Sequence, residues 1–454
     1  MFKPKLKPKF KAQFDQLHSR FIHLATVNIL SNLMVPIASL VDIAFLGHLT
    51  EIRHLAGVAL STVLFKYIYW TFGFLRMGTT GTTAQALGAK DHDTALLTLL
   101  RNGLIALIVG LIILLIQVPL RELGFTLLSA TPEVKIAGIS YYNALIWSAP
   151  ATLLNFVFLG WFLGRAQSGK VFLLSAVSNG SNVILDYFFI RQWGWESAGA
   201  GAATALSQYL MLGVALILLA WEKPFAKIKT LAVKILNPDA LKASFLLNTN
   251  ILIRTFSLIS TFALFTNLSS AFGTIVLTTN TLLMEAVTLC VYFLDGLAFA
   301  TESLAGNYKG EGSKQQLIHL VKFSGGLSLI LGLGLALIFV LVPGVFFSLL
   351  TNHSEVISGI DRYVYWLLPV LGLGSIAFML DGYFLGLTEG KILRDGTIIA
   401  AFVGCMAMAI NAWQFQSSHL LWFGLSLFMG TRVLTLGFKL PLSLNQISEG
   451  VPNS

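Results

Sequence analysis

The sequence predicts an all-α, polytopic membrane protein, with twelve transmembrane helices in two pseudo-symmetric six-helix lobes. Three observations predict it. Of 454 residues, 56% are hydrophobic and only 11% charged, with a mean hydropathy of +0.77. Soluble domains carry roughly 25% charged residues, so too few polar side chains remain to coat a water-facing surface. A soluble enzyme and a disordered chain are both excluded. Apolar stretches of the roughly 20 residues that cross hydrocarbon recur twelve times, and blocks of the first half return in the second.

Residues 1–20 form a basic tail. Two prolines interrupt it and the apolar stretch behind it is span length, so it reads as a cytoplasmic tail at anionic headgroups, not a cleavable signal. The spans are predicted at 21–46, 57–87, 100–120, 138–163, 171–190, 199–221, 246–268, 276–306, 320–342, 359–386, 395–413 and 420–440. Spans 57–87 and 276–306 are long enough that they must tilt, kink or extend beyond the bilayer. Between the halves lies a Lys-rich cytoplasmic connection, 222–245, and the chain ends in a tail, 441–454. The lobes are therefore expected at 21–221 and 246–440.

The net charge of +9 is read by side, not as a nucleic-acid footprint. Lys3, Lys5, Lys7, Lys9, Lys11 and Arg20 precede span 1. The even-numbered connections carry Lys90, Arg101, Arg165, Lys170, Lys223, Lys227, Lys229, Lys234, Lys242, Lys309, Lys314, Lys391 and Arg394. The odd-numbered ones hold chiefly Arg53, Arg121, Lys135 and Arg191. Both termini are thus expected in the cytoplasm of a cell with a bacterial-type plasma membrane. Two cysteines, Cys290 and Cys405, give neither a disulfide framework nor a thiolate metal cluster.

The repeat is specific. FTLLSATPEV (125–134) matches FSLLTNHSEV (347–356) at an offset of 222, which also sets Tyr141 against Tyr363 and GWFLG (160–164) against GYFLG (382–386). TAQALG (83–88) lines up with TESLAG (301–306) at 218. Six spans per half is an even number, so the halves enter the membrane in the same sense. That is a transporter architecture, with the substrate route expected between the halves near the midplane.

Charges inside a membrane cost a few kcal/mol or more, so intramembrane carboxylates are functional candidates. Asp42 lies in span 1 and Asp186 in span 5, with Asn182 one helical turn before Asp186 on the same face. Two carboxylates plus amide and hydroxyl oxygens suit a small hard cation, and a buried carboxyl equally suits a proton. The second half offers Asp295 and Glu302 seven residues apart in span 8, Glu285 early in span 8, Asp381 in span 10 and Arg254 in span 7. Arg254 is placed to neutralise one of these carboxylates, leaving a second ion or substrate site and a conformational latch as the readings. Lys66 and Arg76 read as partners or snorkelling side chains. Tyr141, Asn143, Asn155 and Trp161 in span 4 are candidates to line a substrate chamber.

Other signals carry no chemistry. Residues 164–170, GRAQSGK, match the start of a phosphate-binding loop, but Val171 stands where Ser or Thr would hold Mg²⁺ and a membrane helix precedes the motif. The eight histidines lack metal spacing, and His48 and His54 are expected to be solvent-exposed beside an outer loop. Asn267 and Asn352 begin N-x-S sequons in expected outer loops.

LSNLMVPIASLVDIAFLGHL, GFLRMGTTGTTAQALG, WSAPATLLNFVFLGWFLG, SNVILDYFFI and YFLDGLAFATESLAG together resemble the multidrug and toxic compound extrusion (MATE) family, in its DinF-like branch. The resemblance covers roughly 15–440. It implies two six-helix lobes around a central cleft, and export of organic, often cationic or amphipathic, compounds against a proton or sodium gradient, with no cofactor and no enzymatic step. It also implies a cation-coupling site at Asp42, Asn182, Asp186 and Thr204, where Na⁺ or H⁺ binds. Small organic substrates and the bilayer are the expected partners, and a monomer the expected state. Relatives commonly carry proline fifteen residues before the span 1 aspartate, where this chain has Val27, so Pro36 offers another hinge. They often carry arginine where this chain has Leu145. A lipid-linked precursor flippase and a non-transporting receptor or scaffold are the alternative readings.

Overall fold

The computed structural model describes residues 8–222 and 225–449. Lys3, Lys5 and Lys7 of the basic tail, Lys223 and residues 450–454 lie outside the described residues. All regular structure among the described residues is helical, and twelve helical spans are long and apolar enough to cross a membrane.

The first half runs α1 (Pro8–Gly47), α2 (Arg53–Thr71), α3 (Phe74–Gly88), α4 (His92–Leu115), α5 (Gln117–Leu127), α6 (Pro132–Leu145), α7 (Ala149–Gly164), α8 (Ser168–Asp186) and α9 (Glu196–Trp221). A short helix, α10 (Phe225–Ile235), follows. The second half runs α11 (Pro238–Ala271), α12 (Thr274–Gly310), α13 (Lys314–Leu341), α14 (Pro343–Phe347), α15 (Ser354–Tyr363), α16 (Leu367–Gly386), α17 (Gly390–Gln414), α18 (Ser418–Gly437) and α19 (Leu440–Glu449). The two long predicted spans resolve differently. The first breaks at Phe72–Gly73 into α2 and α3, whereas α12 is one unbroken helix of 37 residues. Spans 4 and 10 each carry a 3₁₀ turn, Ile146–Ser148 and Val364–Trp366, and each turn is followed by a proline, Pro150 or Pro369. Proline has no N–H to give the helix, so the ladder is interrupted there.

The chain divides into two compact units. One is Leu30–Asn248; the other joins the residues before Leu30 to those from Thr249 onward. The division falls inside α1 and inside α11.

Each unit is built on the same close contact. In Leu30–Asn248, α7 lies on α3 so tightly that a Cβ at Gly160 would strike the Arg76 carbonyl, and one at Gly164 would stand 2.6 Å from the Thr80 carbonyl. In the other unit α16 lies on α12, and Gly382 and Gly386 meet the Ala298 and Glu302 carbonyls. Two glycines four apart let backbones meet without side chains between them. The turns repeat as well. The N–H of Ala166 donates to Leu163 and that of Gln167 to Phe162, while Thr388 and Glu389 donate to Leu385 and Phe384. Ala166 and Thr388 both take positive φ, 54° and 57°.

These pairs all stand 222 positions apart, which corrects the offset of 218 read for one block. The structure pairs Thr80 with Glu302 and Ala84 with Gly306, one helical turn away from the TAQALG and TESLAG match. A four-residue slip along a helix keeps nearly the same face, so small-residue composition alone does not fix the register.

Candidate functional site

The carboxylates of the first half come together. Asp186 is the last residue of α8, wholly buried, and its carboxyl lies beside that of Asp42 from α1. No N–H or hydroxyl among the described residues donates to either oxygen of Asp186 or to Oδ1 of Asp42. Two carboxyl groups side by side in a buried site disfavour both being ionised at once. At ~4 Å, two ionised carboxylates repel by about 4 kcal/mol at an effective dielectric near 20. Uptake of one positive charge would relieve that repulsion.

Around it lie neutral polar groups. The buried Tyr141 hydroxyl lies near Thr62, within the field of both carboxylates. Asn182 Nδ2 donates to Thr204 Oγ1 at 3.3 Å, and Thr204 Oγ1 donates to the Ala200 carbonyl at 3.0 Å. One turn along α8 and α9, Gln208 Nε2 donates to Ser178 Oγ at 3.1 Å and Gln208 Oε1 accepts from Asn155 Nδ2 at 3.0 Å. Ser178, Asn182 and Asp186 thus make a polar stripe at i, i+4 and i+8, facing Thr204 and Gln208. Ser178, Gln208 and Thr62 were missed in the sequence, although the four-residue spacing from Asn182 and Thr204 was there to extend.

Directly after Asp186, residues Tyr187–Gln192 form a π-helical turn. Such turns mark functional sites often, because the extra residue redirects side chains within a helix.

The remaining candidates take structural places. Trp161 Nε1 donates to the Ala95 carbonyl at 3.0 Å and its ring supports the Arg165 guanidinium, so it packs α7 on α4. Asn143 is exposed and accepts from Arg121 Nη1 at 3.0 Å. Lys66 is exposed. The 164–170 motif is a turn between α7 and α8, where Arg165 and Lys170 each donate to Glu222 at 2.6 Å. His48 is exposed, but His54 is 5% exposed and held by Glu196 and Ser197, contrary to the solvent-exposed reading. Asn267 lies within the last turn of α11, not in a loop; Asn352 does lie in a connection.

The second half has an ion cluster of another kind. Arg254 and Arg432 both pair with Asp381 through its Oδ2. All three side chains are buried, Arg432 completely, and the Arg432 guanidinium lies between Phe378 and Phe428. The charge of Asp295 also acts on Arg432. Glu302 is buried on α12, while Glu285 and Asp295 both act on Tyr292. Arg254 does neutralise a carboxylate, and it does so together with Arg432, which the sequence reading passed over. An arginine isolated in the apolar run FMGTRVLTLG was the available signal.

The MatE family model matches residues 28–188 and 249–413. DNA damage-inducible protein F of Escherichia coli (strain K12) is 31% identical over 420 residues, covering 91% of this chain and 90% of that protein. A probable multidrug resistance protein NorM of Thermotoga maritima is 22% identical, covering 82% of this chain and 79% of its own length. Among solved structures, a MATE protein in the straight conformation superposes with a TM-score of 0.82 at 19% identity, over 95% of this chain and 96% of the other. A MOP superfamily transporter from Pyrococcus furiosus gives 0.83 at 18% identity, over 94% and 95%. At such identities the structural likeness speaks for the fold.

Proposed function

The chain belongs to the MATE family of multidrug efflux transporters, and from that membership we propose a secondary antiporter that exports organic cationic or amphipathic compounds in exchange for protons. The observation that carries the reading is the contact between the Asp42 and Asp186 carboxyls, where no N–H or hydroxyl among the described residues donates to either oxygen of Asp186. In the outward-open state the pair takes up a proton from outside. A neutral or singly charged pair is far cheaper to keep in a dry lobe than two charges, so protonation favours a closed packing of α1 on α8 and releases the substrate. Loss of the proton inside resets the pair. Asn182 and Thr204 hold the neighbouring stretch of α8 to α9 and keep Asp186 aimed at Asp42.

The driving force is adequate. A pH difference of one unit is worth about 1.4 kcal/mol, a tenfold concentration ratio. One charge crossing 100 mV adds about 2.3 kcal/mol. For a monovalent cationic substrate exchanged one for one with H⁺, no net charge crosses and voltage contributes nothing.

Efflux of a fluorescent organic cation from proteoliposomes, under an imposed pH gradient or an imposed Na⁺ gradient, tests the proposal. The pH gradient alone should drive efflux, and Asp42→Asn and Asp186→Asn should each reduce it at least tenfold. If both variants pump like the parent protein, the pair is not the coupling site. Efflux driven by Na⁺ at constant pH would put Na⁺ in place of H⁺. Absence of any transport would favour a flippase or receptor.

A further inference from the structure

His54 has no part in the proposed coupling, yet it is among the most buried polar side chains of α2. It sits in the first turn of α2 beside Glu51 and Arg53, which pair with each other. His54 turns inward instead. Its Nδ1 lies 3.3 Å from Ser197 Oγ, and its Nε2 lies 3.1 Å from Glu196 Oε2 and 4.0 Å from Glu51 Oε2. The ring is thus within hydrogen-bond reach of the Ser197 hydroxyl on one side and close to the Glu196 carboxylate on the other.

Glu196 and Ser197 open α9, and Glu196 holds a positive φ of 52°. That backbone region costs a non-glycine residue roughly 1 kcal/mol or more and persists only where the surroundings enforce it. The adjoining residues bind the π-helical turn. Trp195 N–H donates to the Phe189 carbonyl at 2.8 Å and Trp193 N–H to the Phe188 carbonyl at 2.9 Å. The rings of Phe189, Trp193 and Trp195 pack together with centroids 4.9 to 5.2 Å apart. Gly199 leaves room for this, since a Cβ there would press on the Phe189 backbone at 3.1 Å. Phe188 and Phe189 belong to the turn that begins next to Asp186. A continuous line of contacts therefore runs from His54 through the start of α9 to the π-helical turn and the coupling carboxylate. Relaxing that turn into α-helix would shift it by one residue, about 100° of rotation, relative to α8.

We propose that His54 is a positioning residue for Asp186: it clamps the first turn of α2 to the first turn of α9, and so holds the π-helical turn in the register that aims Asp186 at Asp42. The inference rests on the coupling role proposed for that pair.

The test uses the full-length protein in liposomes and reads the pH midpoint of efflux alongside the maximal rate, with thermal unfolding measured in detergent. His54→Leu and Glu196→Gln should each move the pH midpoint by at least half a unit, in the same direction. The double variant should move it no further than the larger single change, because both substitutions open one clamp. His54→Gln, whose amide can both donate to Glu196 and accept from Ser197, should restore the midpoint. An unmoved midpoint in His54→Leu overturns the proposal, whether or not rate and stability fall. Should His54→Leu not reach the membrane, Glu196→Gln, on a half-exposed side chain, decides by the same reading. Asp186→Asn run in parallel separates the two levels. If it still pumps, the coupling assignment has failed; if it does not and the His54 midpoint stays put, only the clamp has.

Discussion

At the scale of single residues, the protein treats its intramembrane acids in two opposite ways. Asp186 faces another carboxyl, whereas Asp381 is neutralised by two arginines. Removing one partner from a buried ion cluster costs about 3 to 5 kcal/mol, because a charge is left uncompensated. Arg432→Met is therefore expected to lower thermal stability strongly while leaving the pH midpoint of efflux in place; a shifted midpoint would give Asp381 a share in coupling. Outside the spans, burial opposes the charge of Glu222, but hydrogen bonds from Lys170 and Arg165 outweigh it and hold its pKa below the ordinary 4.5. Thr94 does the same for Asp91, below the ordinary 3.8, by donating from its N–H and hydroxyl to the α4 cap. Groups depressed in the folded state add stability above their unfolded values and lose it as pH falls through the folded ones. Both contributions should be present above about pH 4.5 and fade below it, so Glu222→Gln should narrow the difference in melting temperature between pH 6 and pH 3.5.

Among the elements, the paired glycines decide how closely helices approach. Gly160 and Gly382 both abut a carbonyl of the neighbouring helix, and backbone cannot move aside as a side-chain tip can. Gly160→Ala and Gly382→Ala should each destabilise by about 1 to 3 kcal/mol, the range for overpacking. Gly180, in the same unit as Gly160, has nothing within 4 Å of its virtual Cβ, and Gly180→Ala should not lower the melting temperature. An equal loss at Gly180, where the better helix-forming Ala meets nothing, would mean that close approach to a carbonyl does not set the effect. The glycine motif was legible in the sequence as GWFLG and GYFLG. Its register against α3 and α12 was not, since runs of Gly, Ala and Thr look alike one turn apart.

Over the whole molecule, one scaffold repeats while its chemistry does not. At the offset of 222, Asp186 answers to Met408, Asn182 to Gly404 and Asn155 to Ala377, so the polar stripe of the first half has an apolar counterpart. Conversely Arg432 answers to Leu210 and Asp381 to Leu159. A transporter with its titratable pair in one half alone is expected to exchange a single cation charge per cycle. With a monovalent cationic substrate, efflux under a fixed pH gradient should then be insensitive to an imposed membrane potential. A steep voltage dependence in the same vesicles would demand a second coupling charge.

Composition and the period of apolar stretches were enough to determine the membrane class, the twelve spans and the duplicated halves, because solvation by lipid acts on every residue and leaves its mark along the whole chain. The same logic singled out Asp42 and Asp186, since a carboxyl placed in hydrocarbon is conspicuous in any sequence. Which acid meets which partner was decided only in three dimensions. Asp42 and Asp186 are 144 positions apart, Asp381 and Arg432 are 51, and His54 and Glu196 are 142. Electrostatic contacts act over a few ångströms between side chains brought together by packing, and linear spacing holds no record of that distance.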